Sequence, residues 1–386
     1  MGRGSAAHVA LGEPLMHAQR QEHEESDMTM QPLDLDEAAA FAERMLGILN
    51  GGALSLMISI GHRAGLFDVM SRLEFATSAA IAREAGLHER YVREWLGAMT
   101  TGAIVDYDPS RDAYRLPAEH GAALTRSARS GNLAVTAQWI SLLGSVEDQV
   151  LDCFTRGGGV PYGSYRRFRE VMAEESDQTV VAALREAILP LVPGAVVALE
   201  RGIDVLDIGC GSGRVLNEMA ATFPASRFTG YDLSHEAIDA ARTEARERRL
   251  ANVAFEVRDA ADLRAEADFD LVTAFGAIHH MARPAAVLAA IARALRPQGA
   301  FLMQDSRGTS HVHEDARSNR LAPLLYTVSC LHCMTVSLAA GGAGLGAMWG
   351  AETARRMLND AGLGDATLHT LPHDLINLYY VARRRG

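Results

Sequence analysis

The chain has 386 residues, of which 48% are apolar and 22% are charged, and its formal net charge is −11 at pH 7. This length and composition predict a globular protein of two domains, and the negative charge disfavours binding to nucleic acid or to an anionic membrane. All 37 basic residues are arginines, which excludes a pyridoxal-phosphate Schiff base, a class I aldolase lysine and the lysine of a P-loop.

The amino-terminal residues contain no apolar core of the kind found in signal peptides, so residues 1–33 are predicted to be a disordered leader. The most apolar stretch, Ala187 to Leu199, is short and contains two prolines and a glycine, so no membrane-spanning segment is expected. Four scattered cysteines indicate reduced thiols and a cytoplasmic location. They are Cys153, Cys210, Cys330 and Cys333.

Residues 34–130 have the pattern of a winged-helix domain. Helical periodicity starts at Leu35, and we expect Gly51-Gly52 to interrupt it before it resumes. Two short helices follow over Thr77–Leu87 and His88–Met99, and a hairpin is predicted around the turn that begins at Asp108. The second helix places one stripe of large side chains on a single face: Tyr91, Val92, Trp95 and Leu96.

A winged helix usually indicates DNA recognition, and the alternative is a dimerisation and lid domain. From Asp34 to Arg126 there are 9 Arg against 13 Asp or Glu, a net charge of −4. The second helix offers Arg90 and Arg93, but Glu89 and Glu94 balance them. Because attraction to phosphates supplies most non-specific DNA affinity, the dimerisation and lid role is favoured.

Residues 131–200 are predicted to form a helical linker and lid, interrupted by the glycine-rich segment Gly157–Gly163. An aromatic run follows at spacings of three, three and four residues, and it is either a core stripe or the cover of a pocket. It consists of Tyr162, Tyr165, Phe168 and Met172. We predict that Tyr162, Tyr165 and Met172 contact the substrate.

From residue 201 to 386, predicted strands alternate with helices, which is typical of a Rossmann-like, doubly wound α/β fold. The predicted fold class is therefore a seven-stranded α/β sheet preceded by the helical winged-helix domain. The first strand ends in the run Val205–Gly213, in which glycines alternate. Twenty-three residues after Gly209, the next apolar strand ends in Asp232. Glycines allow a ligand to approach the backbone, and a strand-tip carboxylate can accept both hydroxyls of a ribose.

A dinucleotide site would need a small residue at the sixth position of this loop, where the chain has Arg214. The motifs instead resemble those of class I S-adenosylmethionine-dependent methyltransferases, from the glycine loop and Asp232 to Val257–Asp262, Phe269–Val272 and Leu295–Ala300. The resemblance implies S-adenosylmethionine as cofactor, no metal, and a set of cofactor-binding residues. These are Asp207, Gly209, Cys210, Gly211, Gly213, Asp232, Leu233, Asp259, Ala260 and Phe275.

His279 is the candidate general base, since it follows the predicted fourth strand of the sheet, whose carboxyl end faces the ligand. In the winged-helix O-methyltransferases that this chain resembles, the base is a histidine followed by Asp and Trp. Here His280 and Met281 follow, so His279 is either the base or a residue that orients the loop. His280 either lines the substrate pocket or is structural.

A group of His and Cys residues lies in the insertion after the predicted fifth strand, and metal binding and pocket lining are both open there. It comprises His311, His313, Cys330, His332 and Cys333. Cys330 and Cys333 have helical spacing among apolar residues, so we predict that they and Trp349 bind substrate rather than metal. The segment Gly341–Gly346 is predicted to be a mobile loop over the acceptor site.

The sequence thus predicts a cytoplasmic, homodimeric methyltransferase. Its acceptor would be a small, partly apolar molecule methylated on oxygen, nitrogen or sulfur in a pocket that the amino-terminal domain encloses. The alternative is a winged-helix transcriptional regulator that senses S-adenosylmethionine. Methylation of a protein or tRNA is a third possibility, which the predicted lid disfavours.

Overall fold

The structure is a computed structural model that describes residues 33–384, so the predicted leader lies outside the described residues except for Leu33. Its helices are α1 (Leu35–Arg63), α2 (Leu66–Met70), α3 (Ser78–Ala85), α4 (Glu89–Thr101), α5 (Ala118–Leu124), α6 (Leu133–Gly144), α7 (Glu147–Arg156), α8 (Phe168–Thr179), α9 (Ala195–Arg201), α10 (Arg214–Thr222), α11 (His235–Glu247), α12 (Pro284–Ala294), α13 (Val312–Ser318), α14 (Ala322–Val328), α15 (Met334–Ala339) and α16 (Gly350–Asp360). Its strands are β1 (Asp106–Asp108), β2 (Ala113–Arg115), β3 (Asp204–Ile208), β4 (Arg227–Asp232), β5 (Val253–Val257), β6 (Phe269–Phe275), β7 (Leu295–Ser306), β8 (Leu363–His369) and β9 (Asn377–Arg384).

Helix α1 is continuous, so the predicted interruption at Gly51-Gly52 is wrong. A Cβ at either glycine would meet no heavy atom within 4 Å, and the Ser55 hydroxyl donates to the Gly51 carbonyl at 2.8 Å. Each interior glycine costs about 1 kcal/mol relative to alanine, which a long helix can offset. The chain separates into two compact units at Ile48, and only the first part of α1 is described in the earlier one.

The winged-helix motif is present as α3, α4 and the antiparallel hairpin β1–β2. Thr77 caps α3 by accepting the Ala80 N–H, and Gly86 ends it with a left-handed φ of 66°. On α4, Val92, Trp95 and Leu96 are buried. Tyr91, which was predicted to share their face, is 79% exposed, so the prediction is wrong for this residue.

The second domain contains a seven-stranded sheet in the order β5-β4-β3-β6-β7-β9-β8, which confirms the predicted fold class. Strand β9 runs antiparallel to β7 and β8, and the remaining pairs are parallel. The strand order reverses at β3, between β4 and β6. Open α/β sheets bind ligands at the carboxyl ends of the strands beside such a reversal.

The linker helix α8 is tied to both domains. Its Glu174 lies 2.7 Å from Nε2 of His62 on α1. Its Asp177 accepts a 2.9 Å hydrogen bond from Nε of Arg214, which begins α10 after the glycine loop. The linker is therefore fixed beside the carboxyl edge of the sheet.

Two helical stretches of the described chain are long and apolar enough to cross a membrane: Leu35–Arg63 and Ala322–Ala339. A third candidate would join Phe168–Leu191 to Ala195–Arg201 across a 107° bend. Neither of the first two stretches overlaps Ala187–Leu199, the segment on which the sequence-based expectation rested. The expectation of no membrane partner therefore stays a prediction.

Candidate active site at the carboxyl edge of the sheet

The glycine loop between β3 and α10 has a backbone that side chains rarely allow. Gly209, Gly211 and Gly213 have φ values of +70°, +52° and +73°. A Cβ at Gly209 would lie 2.6 Å from Cβ of Ala277, whereas a Cβ at Gly211 would meet no heavy atom within 4 Å. A Cβ at Gly213 would also clash, so the loop is packed at both ends and leaves open space beside Gly211, where a ligand can approach the backbone.

We expect Gly213→Ala to lower the free energy of unfolding by about 2–4 kcal/mol. The new Cβ would lie 2.6 Å from Cβ of Ala241, so overpacking adds to the strain of a positive φ. Urea denaturation would measure the loss. Gly211→Ala is the matched control, since it carries the φ strain without a clash and should lose only about 1–2 kcal/mol. Equal losses in the two variants would contradict the packing argument.

Asp232, at the tip of β4, is held against the glycine loop. Its Oδ2 accepts the Gly211 N–H at 3.0 Å, and its Oδ1 accepts the Ser234 N–H at 2.9 Å. Burial raises the pKa of this carboxyl, while the backbone hydrogen bonds oppose the rise. The next side chain, Leu233, is 69% exposed. A carboxylate and an apolar surface therefore adjoin the open space beside Gly211.

Asp207 lies beneath the same loop and is buried. Its Oδ1 accepts a 2.7 Å hydrogen bond from the Thr273 hydroxyl on β6. Burial, assisted by the charge of Asp232, raises the pKa of Asp207 to about 7. A buried carboxyl with this pKa favours a cationic partner.

The Cys210 side chain points into the fold, because a Cβ added at Gly230 would lie 2.8 Å from its Sγ. Cys210 is a predicted cofactor contact, and its backbone is the part that remains available for that contact.

The turn after β5 begins with Asp259, whose Oδ1 accepts the Ala261 N–H at 2.8 Å. Its Oδ2 accepts a 2.7 Å hydrogen bond from Arg283, a partner that the sequence argument did not anticipate. Ala260 is buried, and Phe275 is half-buried at the end of β6. The turn is thus rigid and presents backbone groups at the same edge of the sheet.

His279 lies in a short turn after β6 and forms a buried pair with Asp305 at the end of β7. Its Nδ1 is 2.8 Å from Oδ1 of Asp305. The same carboxylate oxygen accepts the Trp349 indole N–H at 2.9 Å and the Ser306 N–H at 2.7 Å. Trp349 is 5% exposed and holds Asp305 through this hydrogen bond, and its predicted contact with the substrate stays a prediction.

The charge of His279 depends on its neighbours. Burial disfavours the imidazolium, but the carboxylate of Asp305 and the contact with Cys333 outweigh this and raise the pKa of His279 well above its usual 6.5. Since Nδ1 is engaged by Asp305, a ligand would exchange a proton with Nε2, where it would compete with the neighbouring Cys333 thiol.

Most of the predicted substrate residues meet around one buried side chain, His332, in a π-helical turn (Ser329–Cys333) between α14 and α15. Ring centroids of Tyr162, Tyr165 and His280 lie 5.4, 4.9 and 6.3 Å from that of His332. Met172 and Cys330 pack against an apolar cluster of buried side chains that includes Tyr165. The structure therefore brings the linker residues and the insertion together beside His279.

The other members of the His and Cys group are elsewhere. His311 pairs with Glu352 at 2.8 Å, and His313 is exposed. Within residues 33–384, no three His, Cys, Asp or Glu side chains are arranged to hold a metal ion. The loop Gly341–Gly346, predicted to be mobile, is hydrogen-bonded to the segment after β6. The Gly346 N–H donates to the His279 carbonyl at 3.2 Å, and the Ala343 N–H donates to the Ala282 carbonyl at 3.0 Å.

Asp305, Trp139 and Glu175 were not predicted from the sequence. A signal for Asp305 was available, because Gln304-Asp305-Ser306 directly follows the apolar run Ala300–Met303. The Trp139 indole N–H donates to Oε2 of Glu175 at 2.6 Å, and burial raises the pKa of Glu175 to about 7. These contacts depend on α6 packing on α8, which the local sequence does not specify.

Two family models match the chain: residues 52–126 match an Rv2258c-like winged HTH domain, and residues 199–362 match a methyltransferase domain. Over 124 residues the chain is 36% identical to a protein of Mycolicibacterium smegmatis named fatty-acid O-methyltransferase, which covers 32% of this chain and 44% of that protein. The chain thus matches less than half the length of the first curated relatives.

Solved structures share the whole architecture. Human N-acetylserotonin methyltransferase, in complex with SAM, superposes with a TM-score of 0.65 and 18% identity, over 89% of this chain and 98% of that one. An O-methyltransferase family protein from Burkholderia thailandensis superposes with a TM-score of 0.59 and 17% identity, over 92% of this chain and 99% of that one. At such identity, the likeness shows the fold.

Proposed function

We propose that this chain, which combines an Rv2258c-like winged HTH domain with a methyltransferase domain, is an S-adenosylmethionine-dependent methyltransferase. Its acceptor is a small, partly apolar molecule, methylated on oxygen, nitrogen or sulfur in a pocket that the amino-terminal region helps to enclose. The observation that carries the proposal is the 3.0 Å hydrogen bond from Gly211 N–H to Asp232 beside open space. It supports a role for Asp232 as the acid that would bind the ribose beside the glycine turn.

The residues at the sheet edge fit this cofactor. Asp232 would accept the ribose hydroxyls, and the turn at Asp259 and Ala260 would hold the adenine. Asp207, whose pKa of about 7 favours a cationic partner, would face the amino group. When bound, S-adenosylmethionine supplies an activated methyl group on a sulfonium.

The protein's own contribution is to position the acceptor, exclude water and accept a proton. His279 would take that proton at Nε2, while Asp305 holds the ring through Nδ1 and stabilises the imidazolium. Trp349 acts as a positioning residue, because its indole N–H fixes the carboxylate of Asp305.

The rate should depend on pH through His279. Because the pKa of His279 is raised well above 6.5, kcat/KM should rise from neutral into alkaline pH and then level off. Asp305→Asn removes a charge that raises this pKa, so the rising limb should move to lower pH. The measurement needs an acceptor whose own group does not titrate in the range, and an unmoved limb would contradict the pairing.

The regulator alternative is disfavoured by the charges on α4. Arg93 donates to Glu89 at 3.2 Å, and Arg90 pairs with Glu94, so both candidate phosphate ligands are engaged by acids. A gel shift with genomic DNA fragments at low salt tests this, and the proposal expects no shift.

A homodimer is also part of the proposal. Helix α1 exposes a row of large apolar side chains, including Leu49 at 64%, Leu56 at 43% and Ile60 at 50%. Burial of such a surface by a second copy would be favourable. Light scattering on the purified protein should give twice the mass of one chain, and a monomer would contradict it.

The cytoplasmic location is proposed on the cysteine argument alone.

The direct test is methyl transfer to a panel of acceptors. Purified protein would be incubated with methyl-labelled S-adenosylmethionine and phenols, catechols, amines or thiols. The proposal expects label in at least one acceptor and stoichiometric S-adenosylhomocysteine. Absence of cofactor binding together with absence of transfer would overturn it.

A further inference from the structure

His332 is enclosed by rings. It is 2% exposed. Its imidazole stacks on Phe168 at a centroid distance of 4.3 Å and an interplanar angle of 18°. Tyr165, Tyr162 and Trp139 present their rings nearly edge-on at 4.9, 5.4 and 5.8 Å. We call these four aromatic residues and His332 the ring cluster.

Neither ring nitrogen of His332 has a hydrogen-bond partner within residues 33–384. An unpaired buried polar group costs about 1–3 kcal/mol, so a structural histidine in this position would normally be paired. Burial, assisted by the charge of His279, lowers the pKa of His332 to about 3, so the imidazole is neutral. A neutral imidazole offers one N–H donor and one acceptor nitrogen.

Two polar groups of the ring cluster are already engaged elsewhere. The Tyr165 hydroxyl donates to the Leu331 carbonyl at 2.6 Å. The Trp139 indole N–H donates to Glu175 at 2.6 Å. Both groups are thus satisfied without a hydrogen bond to the imidazole of His332. Its nitrogens are therefore left for a partner from outside the cluster.

The ring cluster adjoins the proposed methyl-transfer site. His332 is followed by Cys333, whose thiol interacts with His279. His280, the neighbour of His279, has its ring 5.8 Å from that of Tyr162. A molecule held by the cluster would thus lie next to the proton acceptor. Tyr162, which is 44% exposed, is the most exposed member of the cluster.

We propose that His332 recognises the acceptor, by pairing its ring nitrogens with an uncharged hydroxyl of a molecule whose apolar ring packs against the cluster. This assignment rests on the proposed function, and it adds a specificity residue to that site. Within residues 33–384 no carboxylate is hydrogen-bonded to this imidazole, so an ammonium group there would lack a counter-charge.

The first test is stability without any ligand. His332→Phe keeps the ring and its stacking on Phe168 but removes both unpaired nitrogens. The thermal midpoint should stay the same or rise, because a polar group held for a ligand is a cost in the free protein. A fall in the thermal midpoint as large as that caused by truncating a buried apolar side chain would show that His332 is structural and would overturn the proposal.

The second test compares 1-naphthol with naphthalene, which lacks the hydroxyl, by the change in ligand fluorescence with S-adenosylhomocysteine present. The wild type should bind 1-naphthol about tenfold more tightly, as expected for a buried hydrogen bond. His332→Phe should bind the two about equally. His311→Phe, the same change in the same insertion, should keep the wild-type preference, since His311 pairs with Glu352.

Equal binding of both ligands by the wild type, no binding of either, or an intact preference in His332→Phe would overturn the proposal. Calorimetry with S-adenosylhomocysteine separates this failure from failure of the proposed function. A wild type that does not bind S-adenosylhomocysteine but prefers 1-naphthol would refute the proposed function and leave the role of His332 in hydroxyl recognition. A wild type with normal cofactor affinity but no preference for the hydroxyl would refute the role of His332 and leave the proposed function standing.

Discussion

Replacing Asp232 with alanine should weaken binding of S-adenosylmethionine by about a hundredfold or more. The substitution removes the carboxylate that would accept the ribose hydroxyls, and hydrogen bonds to a charged group are worth about 1.5–3 kcal/mol each. It also releases the Gly211 N–H, which donates to Asp232 at 3.0 Å and helps to fix the loop. Isothermal titration calorimetry with S-adenosylhomocysteine measures the loss.

Asp239→Ala is the matched control, because Asp239 lies on α11 close in sequence but its side chain is 75% exposed. Its cofactor affinity should equal that of the wild type. If Asp232→Ala bound the cofactor normally while folded, Asp232 could not be the ribose ligand.

Replacing His279 with glutamine should lower kcat by about 10²–10⁴-fold, the usual contribution of a positioned general base. Cofactor affinity should be nearly unchanged, because His279 contacts Asp305 and Cys333 rather than the glycine loop. Steady-state kinetics with an acceptor from the panel, combined with calorimetry, would separate the two effects.

His311→Gln serves as the control for the same change at a histidine away from the sheet edge, where Glu352 is its partner. It should retain full turnover. Full turnover in His279→Gln would mean that the acceptor loses its proton without this base, and the role of His279 would then be to orient the loop.

The sequence predicted the features that depend on local chemistry. Alternating glycines need positive φ angles, and Gly209, Gly211 and Gly213 all have them. A parallel sheet places the ends of successive strands at one edge, which brings Asp232 to within hydrogen-bonding distance of the loop. These inferences needed only periodicity, backbone preferences and the geometry of the fold.

The features that the sequence did not predict depend on contacts between distant segments. Asp305 becomes the partner of His279 because β7 lies beside β6, and Trp349 reaches the same oxygen from a segment 44 residues further along. His332 enters the ring cluster through a π-helical turn, a local irregularity that the helical spacing of Cys330 and Cys333 concealed. Helical periodicity indicates which residues share a face, but not what packs against it.

The most direct test of the account is a crystal structure of the protein with S-adenosylhomocysteine. The account predicts that both ribose hydroxyls hydrogen-bond to Asp232, that the adenine lies against the turn at Asp259 and Ala260, and that the sulfur faces His279. A nucleoside bound elsewhere, or a ribose that does not contact Asp232, would contradict it.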